Sequence, residues 1–315
     1  MDLDVIYNAD CRAMEELDDN SVQLVVTSPP YNVGKKYNYY EDREPLNNYL
    51  AFLNLVWREC YRVLVPGGRL AINIANTGRN PYIPLHAFII QQCIDLGLLM
   101  RGEVLWDKSA TAGVSTAWGS FARASNPTLR DTHEYIMVFS KETMRLEKPW
   151  TRGEHTGITN QEFVDWTRSI WHKNGTAKKA IRDTARSIWR FGTQSKKIQQ
   201  KTKGIAHPAP FPLDLPLRLI LLYTNVDDVI LDPFMGSGST AIAARLTQRH
   251  YIGYEISPEY IELANERIKL YTSPQPYIPD LEPRAISKNG KNKPPKKHGR
   301  PRKKEKATVQ DKTGD

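Results

Sequence analysis

The stretch Asp227-Asp-Val-Ile-Leu-Asp-Pro-Phe-Met-Gly-Ser-Gly-Ser-Thr240 joins an apolar run to a glycine-rich turn. Val229 to Leu231 predicts a buried parallel strand, and the glycines behind it predict a tight turn into a helix. Gly236 and Gly238 carry no Cβ, so backbone N–H groups there can approach a ligand closely. A second strand is expected from His250 to Glu255, and it ends in an acid. A carboxylate at that strand end is placed to accept hydrogen bonds from ribose hydroxyls. Strand, glycine turn, helix, strand and acid together imply a bound ligand that contains adenosine.

On either side of this stretch the pattern is that of an α/β chain. Val5–Asp10, Val22–Thr27, Arg69–Ala75, Glu103–Lys108 and His133–Ser140 read as further strands, which gives seven in all. Helical periodicity runs through Pro45–Leu64, Leu85–Leu96, Pro212–Tyr223 and Glu259–Leu270. Only a loop, Ser109–Arg130, separates Glu103–Lys108 from His133–Ser140, and its length marks it as functional. Two strands joined without a helix predict an antiparallel edge pair on an otherwise parallel sheet. The second strand delivers Ser28-Pro29-Pro30-Tyr31 at its carboxyl end, where open α/β sheets bind ligands.

Charge is distributed unevenly. The 315 residues carry a formal net charge of +9, and residues 284–315 alone hold 12 Lys/Arg against 3 Asp/Glu. Phe163–Lys203 is a second basic region, with 11 basic residues against 2 acidic. Two basic regions around a balanced body point to a polyanionic partner, most naturally nucleic acid. Four of the seven tryptophans (Trp150, Trp166, Trp171 and Trp189) fall between Glu142 and His207, where a small helical insert is expected. Residues 271–315 lose periodicity and are expected to be disordered. Three scattered cysteines, no apolar span and no signal peptide predict a soluble protein of a reducing cytoplasm. No ligand spacing for a metal is present in the sequence.

Ser28-Pro29-Pro30-Tyr31 resembles the catalytic motif of the N4-cytosine and N6-adenine DNA amino-methyltransferases. The 227–240 stretch resembles their S-adenosyl-L-methionine site. Val63-Leu-Val-Pro-Gly-Gly68 and Ser125–Ile136 also look like family segments. The order of the motifs resembles the permuted β arrangement. It implies a Rossmann-like, seven-stranded mixed sheet with a small helical insert, the fold of the S-adenosylmethionine-dependent methyltransferases. Residues 1–141 would form the catalytic part, 142–206 a target-recognition insert, 207–272 the cofactor-binding part of the same domain, and 273–315 a basic tail. By resemblance, Phe234, Gly236, Gly238 and Thr240, with Ser239 in the same turn, would line the methionine and sulfonium. Glu255 would hold the ribose, Asp10 and Cys11 would border the adenine, and His207 and Phe211 would close over it. Asp232 stands as a further cofactor-binding position or as a helix cap.

The chemistry of these residues agrees. The lone pair of an exocyclic amine on a base is delocalised into the ring, so acceptors aimed at its N–H groups are needed to free it. The Pro29 carbonyl and the Ser28 side chain can do this, held by the stiff Pro29–Pro30 pair. Tyr31 can stack on a base rotated out of the duplex. His133 and Glu134 are read as ordering the start of a strand. By resemblance, serine at position 28 favours cytosine N4 as the target, with adenine N6 as the alternative. More remote readings are an RNA or protein amide substrate, or a non-catalytic nucleoid-binding protein. Arg168, Arg182, Arg186 and Arg190 in the insert are spaced for phosphates or guanine edges. Arg300 and Arg302, in Lys296–Lys304, resemble an AT-hook. The expected partners are double-stranded DNA and, by resemblance, a cognate restriction endonuclease. Nothing in the sequence separates monomer from dimer, and a prokaryotic, nucleoid-associated setting is expected.

Overall fold

Strands buried on both faces need apolar side chains at consecutive positions, and the two central strands have them. Val22–Thr27 (β2) and Val229–Asp232 (β7) lie side by side and parallel, with Leu24 opposite Ile230 and Val25 opposite Leu231. A computed structural model describes residues 1–34, 42–77, 81–108, 119–120, 123–129, 131–146, 158, 160–172 and 212–272, all within the unit Met1–Arg284. The other strands are Val5–Tyr7 (β1), Leu64–Ile74 (β3), Leu98–Asp107 (β4), His133–Lys141 (β5), Ile170–His172 (β6) and His250–Tyr254 (β8). They form one sheet in the order β1-β8-β7-β2-β3-β5-β4-β6. All seven expected strands are present, and β6 is an eighth.

Among the described strands only β5 runs against its neighbours, antiparallel to both β3 and β4. The expected strand pair is therefore antiparallel, but β5 is inserted between β3 and β4 and is not itself the edge. Among the described residues of the insert, Asn160–Trp166 forms a short helix (α3), and Ile170 belongs to β6, paired in parallel with β4. A β-branched residue followed by an aromatic suits an extended strand, and β6 extends the sheet beyond β4.

Helices Leu46–Val63 (α1) and Leu85–Asp95 (α2) cover one face of the sheet. Asp214–Tyr223 (α4), Ser239–Leu246 (α5) and Pro258–Thr272 (α6) belong to the other. The alternation is visible in single strands. Val25, Leu70 and Ile72 pack with Tyr49, Leu53 and Trp57 of α1, whereas Leu24, Val26 and Ala71 pack with Leu217, Ile220 and Ile242 of α4 and α5. Each such buried Val, Leu or Ile side chain contributes roughly 1.5–3 kcal/mol of transfer free energy. Helix α4 is not the one-faced helix its sequence suggested, since Asp214 through Leu221 are all buried. No described helix is long and apolar enough to cross a membrane.

Candidate active site

Because β2 and β7 are adjacent and parallel, the loops leaving their carboxyl ends start side by side. Their last residues are joined: Thr27 Oγ1 donates to Asp232 Oδ1 at 2.8 Å. Asp232 also accepts Thr240 Oγ1 at 2.6 Å and the Phe234 N–H at 3.0 Å. The carboxylate is fully buried, and burial pushes its pKa up to about 6 against the lowering effect of these three donors. Asp232 and the Thr240 hydroxyl thus face into the protein and shape the glycine turn from below.

The turn itself requires glycine. Gly238 has φ +79°, and a Cβ there would come within 2.9 Å of the Ala264 Cβ on α6. The loop therefore lies directly on the helix behind it. Its front meets Glu255 at the end of β8, where Oε2 accepts the Gly236 N–H and Oε1 the Ser257 N–H, both at 2.9 Å. Burial raises the Glu255 pKa, and the backbone donors partly oppose this. Each oxygen still has acceptor capacity for a ligand hydroxyl. Strand β1 pairs with β8 and brings Asp10 to the same edge, where it binds Arg12 at 2.6 Å. Arg12 lies over the Phe52 ring, 5.8 Å from its centroid, and Phe52 packs against Phe234 at 6.0 Å. The Cys11 side chain is buried in the α1-side core, which raises its thiol pKa. Ser239 is buried at the start of α5.

The loop after β2 is fixed from both sides. Tyr49 Oη donates to the Pro30 carbonyl at 2.6 Å, so that carbonyl is occupied. Ser28 Oγ lies 3.1 Å from Tyr31 Oη. Tyr31 Oη reaches Glu134 Oε2 at 3.1 Å, and Asn73 Nδ2 lies 2.8 Å from Tyr31 Oη and 2.7 Å from the same Glu134 oxygen. Lys108 Nζ pairs with Glu134 Oε1 and sits over the Trp106 ring. Burial and the nearby Glu134 charge hold the Tyr31 phenol well above its ordinary pKa. The constellation draws on four neighbouring strands or the loops after them: Ser28 and Tyr31 from β2, Asn73 from β3, Glu134 from β5 and Lys108 from β4.

The sequence reading misses Asn73 and Lys108 and gives Glu134 only a structural role. An Asn inside the apolar run Leu70–Ile74, and a Glu buried in the second position of β5, are the signals that could have found two of the three. Of the basic residues singled out, Arg168 is exposed and 3.4 Å from Asp165. His207, Phe211, Arg182, Arg186, Arg190, Arg300 and Arg302 lie outside the described residues.

A mixed sheet that carries a proline-stiffened loop and a glycine turn on the ends of two adjacent parallel strands has the layout in which open α/β sheets bind ligands. The chain belongs to the DNA methylase family, whose sequence model matches residues 22–266. It is 30% identical over 305 residues to the type II methyltransferase M.MjaI of Methanocaldococcus jannaschii, covering 85% of this chain and 93% of that protein. Among solved structures it is similar to TTHA0409 of Thermus thermophilus, a putative DNA modification methylase complexed with S-adenosyl-L-methionine. That likeness has a TM-score of 0.60 and 28% identity over 84% of this chain and 92% of the other. The cytosine-N4-specific PvuII DNA methyltransferase shares the fold, with a TM-score of 0.59 and 21% identity over 82% of this chain and 84% of the other.

Proposed function

We propose that the protein is a site-specific DNA methyltransferase that moves a methyl group from S-adenosyl-L-methionine to the exocyclic N4 of a flipped cytosine. A role in a restriction-modification system follows from the same reading. The observation that carries it is the Thr27–Asp232 hydrogen bond, which ties the Ser28-Pro-Pro-Tyr31 loop to the glycine turn. A methyl donor held by the turn would lie beside a base held by the loop, and such alignment supplies most of the rate in a direct transfer.

The residues present fit the methyl donor. Glu255 offers acceptors for vicinal hydroxyls, and Asp10 offers another at the neighbouring strand end. The loop of Gly236 and Gly238, with φ of +50° and +79°, keeps backbone close to whatever lies in front of it. Phe234 would pack against the apolar part of the ligand. When bound, S-adenosyl-L-methionine supplies an electrophilic methyl group on a sulfonium. The chain's own residues hold the acceptor: the Pro29 carbonyl and Ser28 Oγ accept the two amine hydrogens, and the Tyr31 ring stacks on the base.

The test is to incubate the purified protein with unmethylated DNA and S-adenosyl-L-methionine, digest to nucleosides and analyse by mass spectrometry. N4-methylcytosine is expected. N6-methyladenine would keep the reaction and transfer the target to adenine. No methylated base on any double-stranded DNA would sink the reading.

A further inference from the structure

Hydrogen positions around Tyr31 follow from counting donors and acceptors. As a carboxylate Glu134 can only accept, so the single phenol proton of Tyr31 is directed at Glu134 Oε2. Asn73 Nδ2 has two hydrogens, and its two short contacts, 2.7 Å to Glu134 and 2.8 Å to Tyr31 Oη, use both. The reverse amide orientation would set Oδ1 against the Glu134 carboxylate. The observed one instead leaves Asn73 Oδ1 buried without a partner among the described residues. Tyr31 Oη has then given its proton and accepted one from Asn73, and only acceptor capacity remains. The Ser28–Tyr31 contact, in which either oxygen could donate, is thereby resolved. Serine gives its hydrogen to Tyr31. Its own lone pairs are left for whatever lies in front of the loop, with Asn73 Nδ2 only marginally close at 3.4 Å.

We propose that Glu134 is a positioning residue that acts through Tyr31 to make the Ser28 hydroxyl a hydrogen-bond acceptor for the target amine. The identity of that amine rests on the proposed function above; the direction of the hydrogen bonds does not. A neutral hydroxyl is a weaker acceptor than a carboxylate. A relay ending on a buried carboxylate compensates, because each donated hydrogen bond polarises the oxygen that gives it. Glu134 is 7% exposed and Asn73 1%, so water does not compete for these bonds. Lys108 completes the arrangement by neutralising the outer oxygen of Glu134.

The relay predicts a particular response to Glu134→Gln. A glutamine amide can donate to Tyr31, which reverses the chain and turns the Ser28 hydrogen outward, where it opposes the amine N–H. Turnover is expected to fall on the order of 10- to 100-fold, less than removal of a group touching the reacting atoms costs in other enzymes. KM for DNA and for S-adenosyl-L-methionine should change by less than about threefold, since Glu134 acts through Tyr31 and on neither ligand directly. Glu134→Asp should recover part of the loss. In a Tyr31→Phe background the relay is already cut, so Glu134→Gln should add little. Losses that multiply independently, or a loss confined to KM, would show a merely structural role and overturn the proposal. Neutron diffraction from deuterated crystals of the wild-type protein separates this from the function itself. The Tyr31 deuterium should point to Glu134 and the Ser28 deuterium to Tyr31, whatever the substrate. A Ser28 deuterium directed away from Tyr31 would overturn the inference even in an active enzyme. Correct deuterium positions in a protein that methylates no DNA would count against the proposed function alone.

Discussion

Asp232 is a carboxylate with three hydrogen-bond donors and no solvent, and the balance of these two facts has a measurable consequence. Burial disfavours its charge more than Thr240, Thr27 and Phe234 favour it, so its folded-state pKa lies near 6, above the ordinary value of 3.8. A raised carboxyl pKa means that the folded state holds the proton more tightly than the unfolded chain. The contribution of Asp232 to stability is therefore most favourable below about pH 4, declines as pH rises through about 6, and is flat above that. Asp232→Asn removes this dependence. The difference in unfolding free energy, variant minus wild type, should rise between about pH 4 and 6 by up to a few kcal/mol and then level off, as checked by urea unfolding across that range. A difference that is constant with pH would mean that Asp232 is not the titrating group. The local pattern Asp-Pro-Phe-Met-Gly announced the turn in the sequence. Whether its acid faced a ligand or the interior depended on Thr27, which lies 205 residues earlier.

The segment that carries Tyr31 leaves the sheet and returns to α1, and a small clasp closes it. Asp42 is 2% exposed and its two oxygens accept the Asn32 and Val33 N–H groups at 2.7 and 3.1 Å. Asn32, held at φ +56°, exchanges hydrogen bonds with the backbone N–H and C=O of Glu44 at 2.7 and 2.8 Å. Backbone directly after Tyr31 is thus fixed without regular secondary structure. Asp42→Ala leaves two N–H groups without their carboxylate, at a cost of about 2 kcal/mol and a few degrees in Tm. Turnover should fall by roughly tenfold or more through misplacement of the loop. Calorimetric titration should find S-adenosyl-L-methionine affinity unchanged, because the glycine turn is anchored separately by Asp232 and Glu255. A lost affinity with normal turnover at saturation would place the clasp in cofactor binding instead. Helix α1 was legible from its spacing, whereas the clasp was not. Its members, Asn32, Asp42 and Glu44, look in sequence like ordinary polar loop residues.

Across the whole molecule, charge and chemistry are separated along the chain. The sheet carries the candidate catalytic constellation, while residues 284–315 hold 12 basic residues against 3 acidic. Removing that tail should weaken DNA binding and flatten its dependence on salt, since each lost phosphate contact lowers the log–log slope by about 0.9. Turnover on saturating DNA should not change. Equal affinity of the full and truncated proteins across a salt series would deny the tail this role. By itself the sequence determined seven of the eight described strands, the helices flanking them, the glycine turn and the Ser-Pro-Pro-Tyr loop, because periodicity, β-branching and the demands of Gly and Pro act over a few residues. It also determined that both motifs would sit at strand ends. Only the tertiary structure decided which strands are neighbours. With β5 reversed and inserted between β3 and β4, Glu134, 103 residues beyond Tyr31, meets the phenol, and Asn73 and Lys108 meet Glu134. Hydrogen bonds form between groups that the folded sheet brings together, and no local property of the chain specifies that pairing.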